Sequence, residues 1–373
     1  MPVKTLVILG IRGVPAQHGG FETFAEYLAL YLIEQGWSVT VYCQEEGSGE
    51  IYESVWQGVR RIHIPVKGSG ALSTVIFDFK SVCHSLNQDG LFLTLGYNTA
   101  IFNLLHRLKR ITNIINMDGI EWKRQKWGFV AKAWFWLNER LGCWFGNYLV
   151  ADHPLIEDHL STRVPRKKIT MIPYGAEQVL KADEEILGQY GLTKGNYLIV
   201  IARAEPENSI LEIVSAFSAK ERDKKLVILG NYSPETNPYH RAVIEAASAD
   251  VLFLGAIYDS EKVGSLRFYA FAYIHGHQVG GTNPSLVESL GAGNAVIAHD
   301  NNFNRWVAGN SGVYFQDKQE CQRIFDERLH DENYFRGLSE NAKLIFKDRF
   351  RWHDILSQYE HLFLKTLNRG SNA

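Results

Sequence analysis

The sequence predicts an α/β protein of two doubly wound, mostly parallel-sheet domains, and three observations carry that expectation. The chain has 373 residues, more than one hydrophobic core usually serves, so two domains of roughly 170 to 190 residues are the natural division. A short apolar run, a glycine-rich loop, a helical pattern and a second β-rich run open the chain, and the rhythm restarts at Tyr197. Between the two starts, Glu177 to Lys194 is polar and has the composition of a linker.

In the first half, Thr5 to Leu9 reads as a buried strand, Gly10 to Gly20 as a loop and Phe21 to Gln35 as a helix. Trp37 to Cys43 supplies the next strand, which completes a βαβ unit and hence a parallel sheet. Further strands are expected at Arg61 to Pro65, Leu91 to Leu95, Ile111 to Met117, Tyr148 to Ala151 and Ile169 to Ile172. In the second half, strands are expected at Tyr197 to Ala202, Leu226 to Gly230, Val251 to Gly255 and Ala295 to Ala298, with a helix at Ile210 to Lys220. Ile355, Tyr359, Leu362 and Phe363 have helical spacing, so a last helix, Trp352 to Leu367, is free to pack back on either domain. The division is 1–176, 177–350 and a C-terminal helix, 351–373, with the N-terminal domain as its first choice of partner.

Apolar residues make up 46% and charged residues 21%, which excludes a disordered chain. The formal net charge of -2 gives no global attraction to nucleic acid, and clusters such as Arg60-Arg61 and Lys123-Arg124-Lys126 are local anion sites or solvated faces. Cys43, Cys83, Cys143 and Cys321 form no C-x-x-C pair, which argues against a zinc site or disulfide framework and for a reducing, cytoplasmic compartment. The run after Met1-Pro2-Val3-Lys4 is too short for a secretory leader, and no apolar run reaches about 18 residues, so a spanning helix is not expected. The thirteen histidines show no H-x-x-x-H pair and suggest no metal.

Four segments carry candidate chemistry. Gly10-Ile11-Arg12-Gly13-Val14-Pro15, followed by Gly19-Gly20-Phe21-Glu22-Thr23, joins a strand to a helix, where amides and the helix dipole favour a phosphate or carboxylate. Its spacing is not that of a dinucleotide fingerprint. Arg203-Ala204-Glu205-Pro206-Glu207-Asn208 follows the strand that reopens the pattern; an arginine there points toward the ligand crevice of an open sheet and suits diphosphate oxygens, unless it pairs with Glu205 or Glu207. In His275-Gly276-His277-Gln278-Val279-Gly280-Gly281-Thr282-Asn283-Pro284-Ser285, a small-residue loop opens a helix that carries Glu288. Free amides there suit a diphosphate and Glu288 suits ribose hydroxyls; a plain N-cap at Thr282 or Asn283 is the compatible structural role. Asn116-Met117-Asp118-Gly119-Ile120-Glu121-Trp122 also follows a strand, so Asp118 or Glu121 is placed to take a proton from an acceptor hydroxyl, and Trp122 to stack on a sugar. The alternative is a helix-start aspartate with ion pairs to Lys123 and Arg124. Downstream, Trp122 to Phe145 mixes aromatics with Lys123, Arg124, Lys126 and Lys132, which suits an interfacial helix on an anionic bilayer or, alternatively, a large interior helix.

Taken together, these strings resemble the retaining glycosyltransferases of family four, which have the GT-B fold, and within them the bacterial polysaccharide rhamnosyltransferase-type branch. The resemblance covers essentially the whole chain. It implies two Rossmann-like domains facing each other across a cleft, an acceptor held by the N-terminal domain at Gly19, Gly20, Glu22 and Trp122, and a nucleotide diphosphate sugar held by the C-terminal domain. Arg12 and Gly13 would border the phosphates. Arg203, Asn208, Gly281, Thr282, Asn283, Pro284 and Ser285 would surround the diphosphate, and Glu288 would hold the ribose. No metal or cofactor is implied. The donor phosphate itself would help remove the acceptor proton, which makes Asp118, Glu121 and Arg12 candidate rather than obligatory catalytic groups. Two positions depart from the wider family: Asn208 stands where a lysine is usual, and Gly280 where the first of two glutamates is usual, marks of a different sugar pocket, one for a deoxy sugar. The implied reaction is transfer of L-rhamnose from dTDP-rhamnose to a lipid-linked saccharide in cell-surface polysaccharide assembly, with peripheral membrane contact and no nucleic acid. Two competing readings are an NAD-dependent oxidoreductase, with Glu45 or Glu46 offered to a ribose, and a non-catalytic sugar-nucleotide-binding protein.

Overall fold

The computed structural model describes residues 4–17 and 19–370. The first three residues of the opening run, His18 of the first loop and residues 371–373 of the expected terminal segment lie outside the described residues. The chain divides into two compact units, residues 1–174 with 352–373, and residues 175–351.

The first unit is built on eight strands: β1 (Thr5–Leu9), β2 (Ser38–Glu46), β3 (Tyr52–Trp56), β4 (Val59–Val66), β5 (Leu91–Leu95), β6 (Asn113–Asn116), β7 (Tyr148–Ala151) and β8 (Ile169–Met171). Their order is β3-β4-β2-β1-β5-β6-β7-β8, and every pairing is parallel except β3 with β4. β1 shows why the sheet is covered on both faces. Leu6 and Ile8 pack with Phe24 and Leu28 of helix Gly19–Glu34 and with Trp352, Tyr359 and Phe363 of helix Trp352–Gly370. Val7 and Leu9 point the other way, toward Phe77 and Val82 of helix Ala71–Ser85. The chain steps from β4 to β5, β6 and β7 in one direction across the sheet, so right-handed crossovers put helices Ala71–Ser85, Asn103–Leu108 and Phe129–Phe145 on that second face. The terminal helix thus completes the core of the first unit.

The second unit carries β9 (Tyr197–Ile201), β10 (Lys225–Leu229), β11 (Val251–Gly255), β12 (Ala272–His275), β13 (Val296–His299) and β14 (Gly312–Phe315). The order β11-β10-β9-β12-β13-β14 is parallel throughout. Leu198 and Val200 of β9 face Ile213, Val214 and Phe325, whereas Tyr197 and Ile199 face Leu266, Leu290 and Phe346. The strand order reverses direction beside β9, between β10 and β12, and loops leaving β9 and β12 meet there, the place where open α/β sheets form ligand crevices.

Strands β3, β12 and β14 were not expected from the sequence. The expected large interior helix is also corrected. Helix Phe129–Phe145 turns Asn138, Glu139, Gly142 and Cys143 inward, and its aromatic residues Phe129, Trp136 and Trp144 are exposed.

Candidate active site

Chemistry-bearing side chains gather at the carboxyl ends of both sheets. In the first unit a cavity of about 340 Å³ is lined by Arg12, Gly13 and Glu22 together with Gln44, Glu45, Arg61, Ser69 and Ser73, near the lower end of small-molecule sites. The loop after β1 closes over the start of helix Gly19–Glu34. Arg12 N–H donates to Glu22 Oε1 (3.3 Å) and Ala16 N–H to Glu26 Oε2 (2.5 Å). The anion expected at this helix start is therefore supplied by the chain's own carboxylates, which already take two of the amides reserved for a ligand. Gly13 lies against β2, and a Cβ there would fall 2.9 Å from Cys43 Sγ. Gly19 and Gly20 are the first residues of the helix. Arg12 keeps its guanidinium exposed at the cavity.

The far wall of the cavity joins Glu45 and Arg61, which the sequence offered for other roles, to Gln44 and His63, which it did not single out. His63 of β4 is buried, with Nδ1 2.5 Å from Glu45 Oε1 and Nε2 2.7 Å from Ser54 Oγ. Glu45 is thus engaged, which leaves the oxidoreductase reading with Glu46 alone as a ribose partner. Arg61 donates through Nη1 to Val14 O (3.2 Å), while its Nε and the nearby Gln44 Oε1 are buried without partners. Buried polar atoms of this kind are costly unless paired, and a hydroxyl-rich ligand is the chemistry that pairs both a donor and an acceptor.

Past β6, Asp118 and Glu121 take different parts. Glu121 is buried, bonded to Arg124 Nε (2.7 Å) and to Trp127 Nε1 (3.1 Å), so it is a fixed ion pair rather than a waiting base. Trp122 donates to Glu139 Oε2 (2.6 Å), a contact that ties its indole to helix Phe129–Phe145. Asp118 adopts φ 52°, a left-handed conformation that costs a non-glycine residue free energy. Its Oδ1 accepts from Gly119 N–H (2.7 Å). Burial, then the charge of Glu121, pushes its carboxyl up to about 6. A carboxylate that titrates near neutrality is matched to proton transfer. Neither Asp118 nor Glu121 lines the cavity.

In the second unit, Arg203 leaves β9 exposed and with no ion pair to Glu205 or Glu207. Asn208 does not stand in for the usual lysine: its buried amide donates to Arg203 O (2.8 Å) and holds the loop. The segment after β12 is stitched to that loop by Gln278, whose N–H donates to Glu207 O (2.9 Å) and whose Nε2 donates to Ser209 Oγ (3.0 Å). Gly276 permits the approach, because a Cβ there would lie 2.1 Å from Asn208 O. His275 stacks on His277 at 4.3 Å, and burial, then His277 and His299, holds its imidazole well below the ordinary value and hence neutral.

Helix Pro284–Gly291 is capped by Asn283, whose Oδ1 accepts from Ser285 N–H (3.0 Å). The Ser285 hydroxyl is taken as well, by Tyr273 OH (2.9 Å) and Arg267 Nη2 (3.1 Å). Asn283 and Ser285 thus form the helix cap that the sequence offered as the compatible structural role. Pro284 has no amide proton, and the amides of Gly280 and Gly281, which bond nothing among the described residues, are open to an anion. Glu288 lies 2.5 Å from Arg267 Nη2. That arginine, on helix Ser260–Phe268, is the site residue no sequence motif disclosed.

Comparisons with known proteins agree with this division. Residues 3–177 match the family model of a domain of unknown function, DUF1972, and residues 182–345 match the model "Glycosyl transferases group 1". A curated relative, the uncharacterized glycosyltransferase MJ1069 of Methanocaldococcus jannaschii, is 22% identical over 179 residues, 46% of this chain and 45% of that protein; the chain thus matches less than half of that relative's length. Among solved structures, sucrose-phosphate synthase from Thermosynechococcus elongatus superimposes with a TM-score of 0.82 at 16% identity, covering 98% of this chain and 100% of that one. HepE of Anabaena in complex with UDP-glucose gives 0.74 at 14%, covering 98% and 99%. The chain has the GT-B fold of two Rossmann-like α/β domains, and its second unit is similar to the group 1 glycosyl transferases over the residues that model matches.

Proposed function

We propose that the chain is a retaining glycosyltransferase that moves a sugar, L-rhamnose, from a nucleotide diphosphate sugar, dTDP-rhamnose, to a lipid-linked saccharide acceptor in cell-surface polysaccharide assembly, on the cytoplasmic side of a membrane and without a metal. One observation carries the donor half: an Arg203 guanidinium and Gly280 and Gly281 amides that have no partner among the described residues, and a Glu288 carboxylate oriented by Arg267, belong to one unit. A guanidinium and amides match diphosphate oxygens, and a fixed carboxylate matches a pentose hydroxyl of the nucleoside, the 3′-hydroxyl in dTDP. The UDP-glucose complex of HepE, a protein of the same fold, supports a pyrimidine nucleoside diphosphate. The hydroxyl-matching cavity of the first unit supports a saccharide acceptor, with Arg12 at its rim and Glu22 in its wall. Asp118, past β6 and outside the lining of that cavity, has the raised carboxyl suited to proton transfer, alongside the donor phosphate.

A thermal-shift screen against dTDP, UDP, GDP, ADP and NAD tests this directly, because a ligand that binds the folded state raises its apparent stability. A selective shift with dTDP is expected. A shift with NAD alone would replace the transferase by an oxidoreductase, and a nucleotide shift without donor hydrolysis or transfer would leave a binding protein.

A further inference from the structure

Exposed apolar side chains are normally scattered. Among the described residues, most of the large ones lie on a single layer, the three helices covering one face of the first sheet. Helix Ala71–Ser85 presents Leu72, Ile76 and Phe79 at i, i+4 and i+7, and helix Asn103–Leu108 presents Leu104 and Leu108 at i and i+4. Helix Phe129–Phe145 presents Val130, Leu137 and Trp144 at a seven-residue spacing, flanked by Phe129 and Trp136. Phe129 and Val130 are 87% and 82% exposed. The same helix directs Asn138 and Glu139 inward, where Glu139 binds Trp122, His159 and Arg163. A helix with its polar groups inside and its aromatics outside is inverted relative to a water-facing helix.

Charge selects the occupant of this face. Residues 71–145 hold nine Lys and Arg against five Asp and Glu, in a chain whose net charge is -2. Two of those acids, Glu121 and Glu139, are buried in ion pairs. Arg107, Lys109 and Arg110 are exposed around Leu108, and Arg140 lies 3.4 Å over the Trp136 ring. A second copy on a two-fold axis would set these cations against one another, whereas an anionic lipid surface neutralises them and takes up the apolar side chains. No described helix is long and apolar enough to cross a membrane, so the contact lies in the plane of the interface.

We propose that the layer formed by helices Ala71–Ser85, Asn103–Leu108 and Phe129–Phe145 docks on an anionic bilayer, with the cavity of the first unit opening beside it. Gly70 and Ser73 line that cavity, and Leu72, between them, is 72% exposed. Docking itself needs no assumption about the sugar; its use, delivery of a lipid-linked acceptor to the cavity, rests on the proposed transfer reaction.

The full chain is sedimented with vesicles of phosphatidylcholine alone or with about one-third phosphatidylglycerol, at low and high salt. Binding is expected to the mixed vesicles and to weaken with salt. It should fall at least about tenfold in Phe129→Ser/Val130→Ser and, independently, in Arg107→Glu/Lys109→Glu. Both variants should keep the wild-type unfolding temperature, nucleotide shift and transfer to a water-soluble acceptor, since these side chains are in solvent and away from the site. Absent binding, equal binding to both vesicle types, or undiminished binding by the two variants would overturn the proposal. A solution dimer that Phe129→Ser/Val130→Ser dissociates would give the face to a second copy. Loss of transfer by the wild type, with vesicle binding intact, would sink the reaction and leave the docking face standing.

Discussion

Three side chains decide the chemistry at the residue scale. Arg203, exposed at the end of β9 and without an ion pair among the described residues, opens the loop that is stitched to the segment carrying Gly280 and Gly281, and charge-assisted bonds to a diphosphate contribute about 1.5–3 kcal/mol. Arg203→Ala should therefore raise the donor KM about tenfold to a hundredfold; unchanged donor kinetics would remove it from the site. Arg267 acts through Glu288 and is a positioning residue. Arg267→Met should weaken nucleoside diphosphate binding about tenfold, and the loss should vanish with a 2′,3′-dideoxy nucleotide, which has no hydroxyls for Glu288 to meet. An equal loss with both nucleotides would make Arg267 merely structural. Asp118 gives the pH signature. Its carboxyl is pushed up to about 6 from 3.8, so folding favours the neutral form: its contribution is full below the unfolded value and is lost as pH rises through about 6. Asp118→Asn keeps the Gly119 bond and tolerates the left-handed backbone. The variant should be more stable than wild type by about 1–3 kcal/mol at pH 7 and equal to it near pH 4. A stability difference that does not vary with pH would refute the raised carboxyl.

At the scale of elements, the donor site depends on how closely the β9 and β12 loops approach. Gly276→Ala puts a methyl into Asn208 O, so the loops must part; a loss of about 1–3 kcal/mol and weaker nucleotide binding are expected in denaturant melts and thermal shifts. Wild-type values for both would mean that the loops tolerate separation. The same loops show where sequence reading succeeds. Arg203 and the His275 to Glu288 segment were legible because each is a contiguous string at a strand end. The Arg267–Glu288 pair was not, because its halves lie on different helices and no spacing rule joins them. Glu45 and Arg61 were named separately in the sequence, but the wall they form with His63 was hidden in the alternation of β2 and β4, where a buried histidine reads as a strand residue. β12, Ala272–His275, was absorbed into the motif that follows it, and edge strand β3 carries Glu53 and Ser54 where an apolar run was sought. At helix starts the strings did not show which side chains would bond the loop amides: Glu22 takes the Arg12 N–H, and Asn283, an expected cap, takes that of Ser285.

For the whole molecule, the two domains were legible from length and from the restart of the pattern; an amphipathic stripe by itself names no partner for the terminal helix, for which the N-terminal domain was the first choice. The structure assigns that stripe to the first unit. Trp352 stacks on Tyr27 at 5.0 Å, Tyr359 packs 4.7 Å from Phe24 and Phe363 meets Trp37. The Tyr359 hydroxyl also accepts from buried Asn116 Nδ2 (2.9 Å), two residues before Asp118, so the helix supports the strand that carries the candidate base. The first unit is thus discontinuous in sequence, whereas the second, residues 175–351, is one continuous segment. Removing residues 352–373 would expose Phe24, Leu28 and Trp37 and orphan Asn116, and each large core side chain lost costs about 3–5 kcal/mol. Several such losses together equal the stability of an ordinary domain. The truncated chain should therefore lose the cooperative unfolding of its first unit and become open to proteolysis there, while the second unit keeps its own transition and its nucleotide shift. Calorimetry with and without the nucleoside diphosphate separates the two, and a truncated chain that retains both transitions would show that helix Gly19–Glu34 needs no cover.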